Sequence, residues 1–290
     1  MATAQTATTQ YVTAKNGVRF AYRRIGSSTG IPLVMHIHYR GNMDLWDPLF
    51  VNALAKSREV IVFDNAGVGR STGDVPETFQ GWADQAIVFI EALGLQQVDF
   101  MGFSMGGYAA HGTSASTPSA EHVAGVVWPR ENAGPEPIKA LSEAVTTEEG
   151  RKALAFSFFY DDHLGRAAFD KYWARVQERT AEPLILDLLA RNGGAKNQMA
   201  AAIESFRATP SGSFDRLKEL KMPVLVANGD NDTLIPSSRS WELMTQIAHA
   251  QLIIYPRAGH GFLWQYPELY AAHVNMFLDG TEYDRLVTKL

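Results

Sequence analysis

The amino-acid sequence predicts an α/β protein: a doubly wound parallel sheet carrying an inserted block of helices. Three observations predict it. Short apolar runs without alternation recur along the chain, separated by stretches with helical spacing. A region from about residue 134 to 210 breaks that rhythm and reads as helix only. A glycine-flanked serine sits where one apolar run passes directly into a helix.

Composition sets the outer bounds. The 290 residues carry a formal net charge of −5, 46% are apolar and none is cysteine. A chain this long buries a sizeable core, and its charged and aromatic content is that of a folded protein. Without cysteine there is no disulfide scaffold, thiolate nucleophile or Cys-ligated metal centre. No basic stripe offers itself to phosphates, so nucleic acid is not an expected partner. Met1–Gln10 has neither charge nor a long apolar run and does not read as a signal peptide; its first residues are expected to be loose. No stretch approaches the roughly 18 apolar residues of a membrane span. The expectation is a cytoplasmic protein with no membrane partner; homo-oligomerisation is left open.

The strands come first as a hairpin. Gln10–Thr13 and Val18–Arg23 flank Lys15-Asn16-Gly17, and Asn-Gly between such runs signals a tight turn. Ile31–Ile37, Glu59–Phe63, Val98–Phe103, Val123–Val127, Val224–Ala227 and Leu252–Tyr255 then read as strands buried on both faces. Pro76–Leu93 spaces its apolar residues as a helix and stops at Gly94. Pro236–Ile247 and Pro267–Leu278 each start on proline, which suits a first helical turn. The insertion divides into helices over Ile138–Val145, Thr147–Phe158, Leu164–Thr180 and Glu182–Arg207. The expected division is a sheet domain from 1–133 and 211–290 with a helical cap at 134–210. Such a cap lies over the carboxyl ends of the strands, where open sheets bind ligands.

Gly102-Phe103-Ser104-Met105-Gly106-Gly107 closes the third parallel-type run and opens a helix. A turn this sharp forces the serine into an unfavourable backbone conformation, and only glycine at both flanks avoids Cβ clashes. The serine hydroxyl then meets a helix N-terminus, and the Met105 N–H becomes an oxyanion donor. A helix-capping serine is the alternative. A serine nucleophile needs a base, and the later strand ends supply an acid and a base in chain order. Asp232 follows Val224–Ala227 in Asn228-Gly229-Asp230-Asn231-Asp232, and His260 follows Leu252–Tyr255 in Gly259-His260-Gly261. Singly these read as an Asx turn and a loop histidine; together, in the order Ser104, Asp232, His260, they read as a triad. Asp230, two residues from Asp232, is expected to cap the turn. The second oxyanion donor is expected from the loop after Leu33–Ile37, at the Tyr39 N–H. His36 and His38 lack a third ligand pattern; no metal is expected. His36 is read as packed, His38 as a buttress of the loop.

Asp64-Asn65-Ala66-Gly67-Val68-Gly69-Arg70-Ser71, Gly102–Gly107, Gly229–Pro236, Gly259-His260-Gly261-Phe262 and His38–Asp47 together resemble the α/β-hydrolase fold superfamily. They look most like its cofactor-free haloperoxidase/esterase branch with a helical cap. The resemblance runs from about Gly17 to Leu278 outside the cap. It implies an eight-stranded, mostly parallel sheet with strand two antiparallel, and no cofactor. It carries nucleophile, acid and base onto Ser104, Asp232 and His260, and the oxyanion donors onto Tyr39 and Met105. Two positions depart from the pattern: Ile37-His38 stands for the usual His-Gly, and Asn65 for the usual Arg. His111–Ala120 also departs, since Gly112-Thr113-Ser114-Ala115-Ser116-Thr117-Pro118-Ser119 propagates a helix poorly and is expected to end it early.

The cap is rich in aromatics: Phe156, Phe158, Phe159, Tyr160, Phe169, Tyr172 and Trp173. Most are expected to be cap core. The rest, represented by Phe159 and Trp173 with Trp128, Met105, Leu234 and Trp264, are the expected pocket wall. Asp161-Asp162-His163 reads as a solvated helix cap or a polar contact to substrate. The substrate expected is a small to medium, substantially apolar ester or lactone, cleaved by acyl transfer to water. Perhydrolase or haloperoxidase-type chemistry, carbon–carbon bond hydrolysis and a non-catalytic small-ligand receptor on the same fold remain alternatives. Epoxide hydrolase and dehalogenase chemistry need a carboxylate where Ser104 stands.

Overall fold

The structure is a computed structural model that describes residues 1–27, 29–116, 120–124, 135–144, 146–186, 196–201 and 216–280. One eight-stranded sheet runs in the order β1-β2-β4-β3-β5-β6-β7-β8. The strands are β1 (Gln10–Thr13), β2 (Arg19–Ile25), β3 (Leu33–His36), β4 (Val60–Phe63), β5 (Val98–Gly102), β6 (Ala120–Ala124), β7 (Val224–Gly229) and β8 (Ala250–Tyr255). β2 pairs antiparallel with both β1 and β4, and every other pairing is parallel. β6 starts three residues ahead of the expected run, whose last residues, 125–127, lie outside the described residues.

The two faces of the sheet follow from strand alternation. Leu33, Met35, Val60, Val62, Met101, Leu225 and Ala227 face α1 (Pro48–Leu54), α9 (Pro267–Leu278) and the cap. Val34, Ile61, Phe63, Phe100, Val224 and Val226 face α2 (Phe79–Ala92), α3 (Met105–Ser116) and α7 (Ser237–Gln246). Asp47 caps α1 by accepting from Leu49 N at 2.9 Å, and Thr78 caps α2 by accepting from Gly81 N at 3.0 Å.

The helices among the described residues of the insertion are α4 (Pro135–Glu143), α5 (Thr147–Phe158), α6 (His163–Val176) and residues 196–201. α5 starts at a capping box, Thr146 with Glu149. α6 starts at Asp162, which accepts from Gly165 N at 2.8 Å.

Three expectations are corrected. The poor helix formers after His111 do not end α3, which continues to Ser116. A Cβ on Gly112 would stand 2.7 Å from the Ala83 Cβ, so the glycine lets α3 lie against α2, and packing outweighs propensity. The helix expected from Glu182 does not start there; residues 182–186 are irregular. Pro183 cannot donate, the Ile185 N–H goes to Asp44 Oδ2 at 2.8 Å, and the Glu182 carboxylate takes both donors of Thr9, at 2.8 and 2.5 Å. Finally, the N-terminal residues are not loose. Ala4 N donates to Asn52 Oδ1 at 2.8 Å, Arg179 donates to the carbonyls of Ala4 at 2.9 Å and Ala7 at 2.6 Å, and Ala7 is buried.

Gly112→Ala tests the α2–α3 contact. Alanine is the better helix former by about 1 kcal/mol, yet overpacking costs about 1–3 kcal/mol. Urea unfolding is expected to show a net loss; a gain would mean that the helices separate without cost.

Candidate active site

The site is built at the carboxyl end of β5, where the backbone is unusually crowded. A Cβ on Gly102 would fall 2.2 Å from the Gly106 carbonyl oxygen, and one on Gly106 would fall 2.1 Å from the His36 carbonyl oxygen. Phe103 N donates to that same His36 oxygen at 2.9 Å. The two glycines let α3 start directly against the end of β3, and the residue between them takes up the turn. Ser104 has φ of 56°, a left-handed conformation that non-glycine residues rarely adopt. Met105 is the first residue of α3, so its N–H is among those with no partner inside the helix.

The loop after β3 is pinned on several sides. Arg40, also left-handed at φ 59°, donates its backbone N–H to Gln198 Oε1 at 2.8 Å. Its guanidinium caps the carboxyl end of α4 through Leu141 O at 2.5 Å and Ala144 O at 2.7 Å. Tyr39 is partly buried against the cluster that contains Met105. The Asp64 carboxylate braces the loop from beneath, accepting from Met43 N at 2.8 Å and Arg70 N at 2.7 Å. Burial, against the pull of these two donors, raises its pKa to about 6. Asp44 is buried between Arg23 and Arg70, at 2.7 and 2.6 Å.

His260 and Asp232 meet over the elbow. His260 Nδ1 lies 2.7 Å from Asp232 Oδ2, and neither side chain is exposed. Asp232 Oδ1 accepts from Leu234 N and Ile235 N, both at 2.8 Å, so both carboxylate oxygens are engaged. Asp230 turns elsewhere: it accepts from Ala258 N at 3.1 Å and fastens the β7 loop to the β8 loop. The imidazole is bracketed by Phe103, with ring centroids 5.2 Å apart, and by Phe158 edge-on at 4.8 Å. His260 Nε2 is buried and makes no hydrogen bond among the described residues.

The other expected residues divide. His36 and His38 do not share a face, because β3 ends at His36. His36 stacks on Phe63 at 5.1 Å, under the sheet, whereas His38 packs edge-on to Phe103, Phe158 and Trp264. Its Nδ1 lies 2.8 Å from Tyr39 O. Burial lowers the pKa of each to about 3. Trp264 is sandwiched between Tyr172 at 4.3 Å and Phe158 at 5.3 Å. Phe159 packs on Phe169 and Tyr172, Trp173 on Phe169, and Leu234 joins the same cluster. Trp128 lies outside the described residues. In the polar trio, Asp162 caps α6 and pairs with Arg257, and Asp161 pairs with Arg166 at 3.0 Å in solvent. Sequence reasoning missed Gln265 and the part of the Phe158 carbonyl, which both hold the His260 loop.

A family model described as alpha/beta hydrolase family matches residues 34–273, and the chain belongs to that family. The non-heme chloroperoxidase of Streptomyces lividans is 29% identical over 278 residues, 89% of this chain and 95% of that protein. The 2-hydroxymuconate semialdehyde hydrolase of Pseudomonas sp. (strain CF600) is 29% identical over 264 residues, covering 87% and 88%. An alpha/beta hydrolase fold protein from Chitinophaga pinensis superposes with a TM-score of 0.86 at 32% identity, covering 96% of this chain and all of that one.

The buried histidines give the site an acid limit. An unfolded histidine takes a proton near pH 6.5, but His36 in the fold does so only near 3. The contribution of the neutral histidine is therefore full above pH 6.5 and is lost as the pH falls from there towards 3. Each such histidine contributes a slope of about 1.4 kcal/mol per pH unit. His36→Phe keeps the stack on Phe63 and removes one proton from the balance. Unfolding by urea at pH 7, 6 and 5 should show a slope shallower by about that amount; an unchanged slope would contradict the neutral His36.

Proposed function

We propose that the protein is a serine hydrolase that transfers the acyl group of a small to medium, largely apolar ester or lactone to water. One observation carries the reading. A fully buried imidazole is fastened through Nδ1 to Asp232 at 2.7 Å, and its Nε2, near Phe103 of the elbow, has no hydrogen-bond partner among the described residues. Buried polar atoms are seldom left unpaired unless they are reserved for a reaction or a ligand.

The chemistry follows from those positions. Ser104 Oγ attacks the carbonyl carbon and His260 Nε2 takes its proton. Asp232 accepts from Nδ1–H, selects that tautomer and stabilises the imidazolium. The negative charge that forms on the carbonyl oxygen is met by the Met105 N–H, at the positive end of α3, and by the Tyr39 N–H. The imidazolium protonates the departing alkoxide, and the acyl group stays on Ser104. Water then repeats the cycle: His260 takes its proton, the acyl–oxygen bond breaks, and Ser104 recovers its hydrogen. The aromatic character of Phe103, Phe158, Phe159 and Trp264 around the imidazole supports an apolar acyl or alkoxy group.

Ser104→Ala should abolish hydrolysis of short p-nitrophenyl esters and leave the melting temperature unchanged; undiminished turnover would overturn the reading. Asp232→Asn presents the wrong tautomer and should lower kcat by about 10⁴-fold. Asp230→Asn should lower it far less, because Asp230 holds a loop and not the imidazole. The reverse ranking would reassign the acid.

A further inference from the structure

We infer that Gln265 is a positioning residue that ties the seating of the cap to the alignment of His260. The inference rests on the reading of His260 as the base. His260 stands between two glycines, so its own backbone does little to hold it. The restraint comes from the cap. Phe158 O, at the end of α5, accepts from Gly261 N at 2.6 Å, and a Cβ on Gly259 would come within 2.6 Å of the same oxygen.

Gln265 ends α8 (Phe262–Gln265), one turn beyond His260. Its Oε1 accepts from Gly259 N at 2.9 Å and from Tyr160 N at 3.2 Å. One donor belongs to the histidine loop and the other to the turn between α5 and α6, so a single oxygen bridges the two parts. Both acceptor sites of that carbonyl are used. Nε2 donates to Arg257 O at 3.1 Å, which orients the amide. Arg257 is itself left-handed, at φ 50°, and its guanidinium reaches Asp162, the cap of α6. The cap turn and residues 257–261 therefore form one hydrogen-bonded unit. A cap that shifts draws on Gly259 N and Gly261 N together, and the imidazole between them turns with it.

Gln265→Met keeps the length of the side chain and removes the acceptor. Gln265→Glu restores an oxygen for both N–H groups, while its second oxygen turns the bond to Arg257 O into an acceptor–acceptor contact. Two readouts separate positioning from mere stability. One is the low-field Nδ1–H proton resonance of His260, which needs no substrate. The other is the split of kcat and KM for a p-nitrophenyl ester, well below the melting temperature. In Gln265→Met the resonance should shift or broaden, and kcat should fall about 10- to 100-fold with KM little changed, the scale of a small misplacement. Gln265→Glu should recover both in part, short of the unsubstituted protein by what the contact with Arg257 O costs. A resonance and a kcat equal to those of the unsubstituted protein in Gln265→Met would overturn the inference, even if the melting temperature fell; so would failure of Gln265→Glu to recover either. Should the unsubstituted protein hydrolyse no ester, the functional reading fails, and the resonance still tests the coupling.

Discussion

The contact on which the rest depends is backbone against backbone: the start of α3 pressed onto the end of β3. Gly106 could not carry a Cβ there, because the His36 carbonyl would be 2.1 Å from it. That approach forces the turn at Ser104 into a left-handed conformation, at a cost of about 1–3 kcal/mol that the surrounding packing must offset. The offset is visible on both sides of the sheet. Below, His36, Phe63 and Phe89 stack in sequence, with centroids at 5.1 and 4.4 Å. Above, Phe103 packs against Phe158, Trp264 and His260. The strained turn thus follows directly on Phe103, whose ring is locked into the upper aromatic layer.

The polar groups of the site are organised by the same economy. Asp232 spends one oxygen on its own loop and one on His260. Asp64 spends both on backbone N–H groups that shape the loops around the site. Arg40 closes the end of α4 and so fastens the loop after β3 to the cap. Other buried charges are paired with one another, as at Asp44 between Arg23 and Arg70, or at Asp47 with Arg175 at 2.6 Å. The result is a cap joined to the carboxyl end of the sheet by directed bonds from several loops, in addition to apolar contact.

Much of this was legible in the sequence because the information was local. Each candidate catalytic residue sits in its own short motif just past a strand, and strand ends are readable from apolar runs bounded by glycine and aspartate. The choice between Asp230 and Asp232 could be made from the turn that each precedes. What was not legible is what depends on distant segments meeting. The length of α3 is decided by Ala83 of α2 and not by its own serines and threonines. The irregular stretch after Glu182 is decided by Thr9 and Asp44, over a hundred residues earlier in the chain. The faces of His36 and His38 differ because β3 ends between them, a boundary that a run of apolar residues through Ile37 conceals. Gln265 gathers partners from residues 160, 257 and 259, and no spacing along the chain announces that.

The central claim is that His260 makes the Ser104 oxygen nucleophilic. It is tested most directly by a fluorophosphonate, which reacts with an activated serine whatever the natural substrate. The account predicts one equivalent of label, mapped to the peptide that carries Ser104, and incorporation that all but ceases in His260→Ala although the variant stays folded. Label on another peptide, or the same rate without the imidazole, would contradict it.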